Sequence, residues 1–389
     1  MPRKIIYLDH AATTPLNKEV FEEMLPFFEE RYGNASSIHI LGRESKKAVE
    51  ISRERIAKSI GCSEREIYFT SSGTEADNWA IKGAAFASRN KGKHIITSSI
   101  EHHAVLHACQ YLEGEGFEVT YLPVDEYGMI SLNALEKAIR NDTILISIMA
   151  ANNEVGTIQP INEISRIAQE KEICFHTDAV QAIGTLPIDV NELKVDMMSI
   201  SGHKFYGPKG VGALYIRKRL KFPPFIHGGA QERKKRGGTE NVPSIVGMGK
   251  AIEIAVRDME KNKEYLIGLR NSTIKKIMGG IPYVRLNGHP KKRLPGNMNF
   301  SFEFAEGESI LLMLDKLGIA ASSGSACASG SLDPSHVLLA MGLPHEIAHG
   351  AIRFSLGVEN TREEMDYLVK NLKTIIERLR QLSPLYTAK

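Results

Sequence analysis

Two kinds of apolar spacing alternate along the first half of this chain. Short runs of apolar and β-branched residues, at 66–70, 93–98, 117–122, 143–149 and 173–177, predict strands. Between them, stretches with apolar positions three and four apart, at 43–60, 74–87, 103–115, 132–140 and 161–171, predict amphipathic helices. A further helix is expected over 18–32, and apolar runs at 195–200 and 211–216 predict two more strands. Strands alternating with helices imply βαβ units and a mainly parallel sheet covered on both faces. The texture changes beyond Arg217. Phe222-Pro223-Pro224-Phe225 reads as a stiff connector, and 242–278 as helix with a break near 258–263. Strands at 297–302 and 352–356 then mix with helices at 309–317 and 361–382. The expected architecture is α/β: a large domain over 16–261, and a smaller α+β domain built from 1–15 and 262–389.

In parallel sheets, ligands bind beyond the carboxyl ends of the strands, so the polar residues there should converge. After the first βα strand comes Ser71-Ser72-Gly73-Thr74-Glu75, a small-residue turn opening a helix, suited to an anion such as phosphate. It is neither the spaced-glycine dinucleotide fingerprint nor a P-loop. Later strand ends carry Glu101-His102-His103, Asn152-Asn153-Glu154, then His176, Asp178 and Gln181. The run from Ser199 to Gly210 places Lys204 between two strands, flanked by glycines. Taken singly, Lys204 reads as a surface lysine, His102 as a satisfied polar residue and Asp178 as a helix cap. Jointly they are what pyridoxal phosphate requires: an anion cup, a lysine for its aldehyde, a carboxylate for its ring nitrogen and a flat group against the ring.

Composition narrows the class. Hydrophobic residues are 42% and charged residues 24% of 389, with a net charge of +3, the balance of a globular protein with no electrostatic case for nucleic acid. No apolar run is long enough to span a bilayer. The start, Met1-Pro2-Arg3-Lys4, leads into a strand-like tetrad without a signal-peptide pattern, so a cytoplasmic location is expected. The four cysteines form no C-x-x-C pair, which argues against structural zinc and a disulfide framework. Cys62, Cys109 and Cys174 sit in or beside apolar periodic segments and read as core filler. Cys327 differs: Ser323-Gly324-Ser325-Ala326-Cys327-Ala328-Ser329-Gly330 offers nothing to bury, and an exposed thiol there reads as a nucleophile. The basic residues Arg233, Lys234, Lys235 and Arg236, bracketed by glycines, read individually as a solvated charge run.

Ser201-Gly202-His203-Lys204 with Tyr206-Gly207-Pro208-Lys209-Gly210, the run Ala151 to Thr157, His176-Thr177-Asp178-Ala179-Val180-Gln181 and the Ser-Gly-Ser-Ala-Cys loop occur in one order. In that order they resemble the cysteine desulfurases of the NifS/IscS type, class V members of the fold-type-I pyridoxal-phosphate enzymes. The resemblance runs nearly end to end. It implies that Lys204 carries the cofactor aldehyde, and that Gly73, Thr74, Ser201 and His203 hold its phosphate. Thr239 would reach the phosphate of a partner subunit's cofactor, making the protein a homodimer and giving the basic loop an interface role. Asp178 would pair with the ring nitrogen, Gln181 with the ring oxygen, and His102 would stack on the ring and move protons. Asn153, also beside the cofactor, and Arg353 would bind the carboxylate of L-cysteine, with Asn34 a further candidate. Cys327 would take the sulfur as a persulfide and pass it to an acceptor such as an iron–sulfur scaffold. No fixed metal site is implied, only transient iron–sulfur ligation by Cys327.

The phosphate turn reads Ser-Ser-Gly-Thr where many relatives have Ser-Gly-Ala-Thr, which keeps the N–H groups in place. The loop resembles the longer-loop group, which favours cysteine over selenocysteine. Ending at Ser383 to Lys389, the sequence is not expected to dock a scaffold through the extended tail that IscS-branch members use. Two other readings remain at this point: a different class V enzyme, such as a selenocysteine lyase or an aminotransferase, and a cofactor-free sulfur carrier.

Overall fold

The computed structural model describes residues 5–323, 334–384 and 386. Its strands are β1 (Ile6–Tyr7), β2 (Ile67–Thr70), β3 (His94–Ser98), β4 (Glu118–Leu122), β5 (Thr143–Ser147), β6 (Cys174–Asp178), β7 (Met197–Ser201), β8 (Gly212–Ile216), β9 (Val284–Asn287), β10 (Asn297–Phe302), β11 (Ile319–Ala320) and β12 (Ala351–Ser355). Seven of them form one sheet in the order β2-β8-β7-β6-β5-β3-β4. The pairs β3–β4, β3–β5, β5–β6 and β6–β7 are parallel, and β8 runs against both its neighbours. β3, β5, β7 and β8 are buried along their whole length. That is why their sequences are apolar runs rather than alternations.

Helices cover both faces. The helix Gly73–Ser88 buries Ala76, Trp79, Ala80 and Ile81, and Ile161–Glu170 turns Ile161, Ile164 and Ile167 inward. The Phe222-Pro223-Pro224-Phe225 connector proves to be packing material. Trp79 stacks on Phe225 at 6.2 Å between ring centroids and donates its indole N–H to the Pro223 carbonyl at 3.2 Å.

A three-stranded antiparallel sheet, β12-β10-β9, forms the second layer system. Its apolar cluster joins Phe300, Phe302, Ile352 and Phe354 to the helices Met259–Gly280, Gly307–Lys316 and Arg362–Leu382, and to Ile6 and Leu8 from the start of the chain. β1 pairs in parallel with β11, Ile6 opposite Ile319 and Tyr7 opposite Ala320. Asp9 then bridges to Ser355, which carries Ala11 and Ala12 across to the large sheet.

Two expectations need correction. The helix expected over 18–32 is two, Lys18–Met24 and Pro26–Glu29, because Pro26 has no N–H to continue the ladder and is tolerated only in a first turn. Three of the four basic residues are not simply solvated, and Lys234 is exposed as expected. Arg236 donates to both oxygens of Glu75 at 2.9 and 3.2 Å, and Arg233 lies over the Tyr68 ring at 4.2 Å. Lys235 donates to the Phe222 carbonyl. The break in the long helix falls at Asp258, between Val242–Arg257 and Met259–Gly280.

Candidate active site

Five strands of the large sheet deliver their carboxyl-end residues to one cavity of about 400 Å3. It is lined by Gly73 and Thr74 after β2, His102 after β3, Asn153 after β5, Asp178 and Gln181 at and after β6, and Ser201, His203 and Lys204 at the end of β7, with Arg353 reaching in from β12. A second cavity, of about 230 Å3, shares Ala11, Gln181 and Lys204. Asp178, His102, His203 and the helix start border only the first, which makes it the candidate site.

The anion cup is built by close approach. Ser72 caps the helix Gly73–Ser88, its hydroxyl accepting from the Glu75 N–H at 3.1 Å. At Gly73 a Cβ would lie 2.8 Å from Val180 Cγ2 and 3.2 Å from Ser201 Cβ. Only a residue without a side chain lets the helix start press against β7, with its unsatisfied N–H groups and dipole facing the cavity.

Lys204 ends the short 3-10 turn Gly202–Lys204. Its amine donates to the carbonyls of Ala11 and Ala12 at 2.6 and 2.7 Å, and Gln181 donates to the same Ala11 carbonyl at 3.0 Å. Asp178 accepts from the Val180 N–H at 2.9 Å. Burial lifts its pKa to about 6, against the pull of that N–H and of the Lys204 charge. His102 caps the helix His103–Gly114, its Nδ1 accepting from the Ala104 N–H at 3.1 Å. The neutral ring therefore carries its proton on Nε2. Burial, and then the Lys204 charge, push its pKa down to about 4, so it is neutral at pH 7. His203 is likewise lowered to about 4, chiefly by burial, and its Nδ1 lies 3.1 Å from the Thr13 hydroxyl.

Arg353 is 2% exposed. It donates to Asp9 Oδ1 at 2.7 Å and to the Asn153 carbonyl at 3.1 Å, and its buried Nε has no partner among the described residues.

Two residues singled out from the sequence lie elsewhere in this chain. Thr239 is exposed and does not line the cavity. Asn34 is exposed, its side chain turned back to accept from the Ser36 N–H at 2.9 Å. Cys327 lies outside the described residues. The flanking segments are both attached at the cavity: Ser322 bridges to Arg353, and Ser335 donates to the buried Glu154 carboxyl. Burial raises the thiols of Cys62 and Cys109 to about 12, and that of Cys174 well above its usual value. None of the three is a ready nucleophile.

Sequence reading overlooked Asp77, buried on the cavity wall one turn into the helix Gly73–Ser88, and Asp9, the partner of Arg353. The signal for Asp77 was its position four residues after Gly73 in the phosphate-turn helix, the same face as the cup.

The donor set fits pyridoxal phosphate: helix N–H groups and hydroxyls for a phosphate, a carboxylate for a ring nitrogen, an imidazole and an amine. Residues 6–368 match the aminotransferase class-V family. The chain belongs to that family. This class-V chain is 60% identical over 382 residues to the cysteine desulfurase IscS of Methanosarcina thermophila, covering 98% of this chain and 94% of that protein. It is 49% identical over 384 residues to the human cysteine desulfurase, covering 98% and 84% respectively. Among solved structures, a NifS-like protein superposes with a TM-score of 0.91 at 43% identity, over 96% of this chain and 100% of that one. A structure described as SspA in complex with cysteine gives a TM-score of 0.81 at 40% identity, over 92% of this chain and 100% of that one.

Proposed function

We propose that this chain is a pyridoxal-phosphate-dependent cysteine desulfurase that takes the sulfur of L-cysteine onto Cys327 and releases L-alanine. The observation that carries the reading is the convergence of Lys204, Asp178, His102 and the Gly73 helix start on one cavity, in a chain 60% identical to a desulfurase over nearly its whole length. When bound, the cofactor supplies an electrophilic aldehyde and a ring that accepts the electron pair left at the amino acid's α carbon.

The protein's own groups do the rest. Gly73, Thr74, Ser201 and His203 hold the phosphate, and Asp178 keeps the ring nitrogen protonated. Gln181 faces the ring oxygen, and Asn153 lies alongside the cofactor. Lys204, poised on the Ala11 and Ala12 carbonyls, carries the aldehyde and then moves the α proton. Neutral His102, with its tautomer fixed by the helix it caps, stacks on the ring and passes protons. Arg353 and Asn153 orient the substrate carboxylate. The Cys327 thiolate forms a sulfur–sulfur bond as the substrate's carbon–sulfur bond breaks, and the electron pair goes to the carbon, which is protonated to give alanine.

The same proposal includes a homodimer. Thr239 is exposed here, away from this chain's cavity, which suits a role at a neighbouring copy. It also includes an acceptor such as an iron–sulfur scaffold, and a cytoplasmic site of action. No helix among the described residues is long and apolar enough to cross a membrane. A division into 16–261 and 1–15 with 262–389 is supported by the separate apolar clusters of the two sheets.

The test is mass spectrometry of the Cys327 peptide after addition of L-cysteine. One added sulfur atom is expected in the parent and none in Cys327→Ser. Undiminished turnover of L-cysteine by Cys327→Ser would point instead to another enzyme of the same family, a lyase if the product is alanine and an aminotransferase if it is the 2-oxo acid. If borohydride failed to fix the cofactor to Lys204, the reading would be abandoned.

A further inference from the structure

Beneath the cavity a polar layer crosses three adjacent strands. His176 sits two residues before Asp178 on β6, so the two share a face of the sheet. Its Nδ1 lies 2.9 Å from the Ser147 hydroxyl on β5, and its Nε2 lies 2.9 Å from the Ser199 hydroxyl on β7. The strand registers set this row: Ser147 is opposite His176, and Ser199 is opposite Asp178. Asp77 completes it from above. Its Oδ1 lies 3.7 Å from His176 Nε2 and has no hydrogen-bond partner among the described residues. Asp77 is 1% exposed, and among the described residues no lysine or arginine pairs with it.

Two buried carboxyls thus share one cavity wall, and a second negative charge there is opposed. Their surroundings decide which of them keeps a charge. Asp178 accepts a backbone N–H and lies near the Lys204 ammonium, both of which favour its ionised form. Asp77 has neither: the Ser199 hydroxyl alone favours its ionised form, and its Oδ1 has no hydrogen-bond partner among the described residues. His176 cannot supply a cation, because complete burial pushes its pKa down to about 3.

We propose that Asp77 is a positioning residue of the cofactor site, a carboxyl kept protonated beside Asp178 so that the Asp178 charge is stabilised in the cavity wall and stays directed at the ring nitrogen. Burial first, then the Asp178 charge and then Glu101, raise the Asp77 pKa well above the ordinary carboxylate value, which agrees with this arrangement. The charged and titratable groups that act on the pair are His176 on β6, Glu101 after β3 and Lys204 after β7, and His102, His103, Glu154, His203, His336 and Arg353 line the same cavity. The inference rests on the cofactor reading of this cavity, but the location of the proton can be tested without the cofactor.

Difference infrared spectra of protein with isotope-labelled aspartate, recorded at pH 7 without cofactor, are expected to show a protonated-carboxyl stretch. Asp77→Asn should lose it and Asp178→Asn should keep it. Absence of the band, or its survival in Asp77→Asn, would overturn the proposal. In the holoenzyme, the pH midpoint of the cofactor's absorption change should move to lower pH by about one unit or more in Asp77→Ala, a tenfold loss of proton affinity at the ring. Asp77→Asn, an uncharged isostere, should titrate with the parent, provided circular dichroism shows both variants folded. A holoenzyme of Asp77→Ala that titrates with the parent would refute the positioning role. Failure of the parent to bind cofactor at Lys204 would refute the cofactor reading instead, leaving the infrared result to stand for Asp77 alone.

Discussion

Arg353 spends two hydrogen bonds on Asp9 and the Asn153 carbonyl, and leaves its Nε buried without a partner among the described residues. Such a group gains from any anion that completes it, and a planar fork matches a carboxylate in a way a point charge does not. Arg353→Lys is therefore expected to raise the KM for L-cysteine roughly tenfold to a hundredfold, corresponding to about 1.5–3 kcal/mol for charge-assisted hydrogen bonds. Steady-state kinetics on folded holoenzyme would show this as a change in KM larger than any change in kcat. At this scale the sequence was informative through combination. Lys204 between glycines and Asp178 at a strand end are ordinary singly, and pointed to a cofactor only together with the small-residue turn at Gly73 and His102. What each side chain touches was not legible. The tautomer of His102 depends on the Ala104 N–H, and the Lys204 amine rests on carbonyls from the far end of the chain.

The turn that precedes Thr239 shows the same limit for an element. Glu232, Arg233 and Lys234 take positive φ values of 42°, 54° and 64° in succession, a conformation that disfavours side chains by roughly 1–2 kcal/mol per residue. Glu232 offsets this. Its carboxylate is buried and accepts from Arg53 at 2.8 and 2.9 Å and from the Phe69 N–H at 2.9 Å. Glu232→Gln leaves the buried Arg53 charge with the half-exposed Glu50, at 3.3 Å, as its remaining acid partner, and is expected to destabilise the fold by about 1.5–3 kcal/mol, the worth of a hydrogen bond to a charged group. A lowered urea midpoint with unchanged slope would register it. The strands and long helices were readable because each repeats one spacing over many residues. This turn was not, because non-glycine residues in a left-handed run carry no compositional signal. β11 was missed for a different reason: a two-residue strand is too short for any period.

For the molecule as a whole, buried acids and buried histidines act on stability in opposite directions with pH. Burial raises Glu101 to about 8 and Glu154 to about 7, above the unfolded value near 4.3. Their contribution is fully present below that unfolded value and is lost as pH rises through 7 and 8. His102 and His203, lowered to about 4, are neutral in the fold; their contribution is present above the unfolded value near 6.5 and fades as pH falls toward 4. The acid contribution therefore declines as pH rises from about 4.3 to 8, while the histidine contribution declines as pH falls from about 6.5 to 4, so the two oppose each other on the acid side and the acids act alone between pH 7 and 8. Glu101→Gln should reduce the decline of the urea midpoint between about pH 4.3 and 8 by on the order of a few kcal/mol in all, since a tenfold change in proton affinity is worth about 1.4 kcal/mol. A pH dependence over that window unchanged in the variant would contradict the account.

β1 is only two residues long, yet it runs beside β11, which leads toward Cys327, while the chain just beyond it supplies the carbonyls that receive the Lys204 amine. Anything that tugs on the amino terminus, such as a fused tag, a proteolytic trim or a crosslink at Ile5, would disturb β11 and the carbonyls that hold the Lys204 amine together. Engineers wishing to immobilise this protein should leave that end slack and attach it elsewhere.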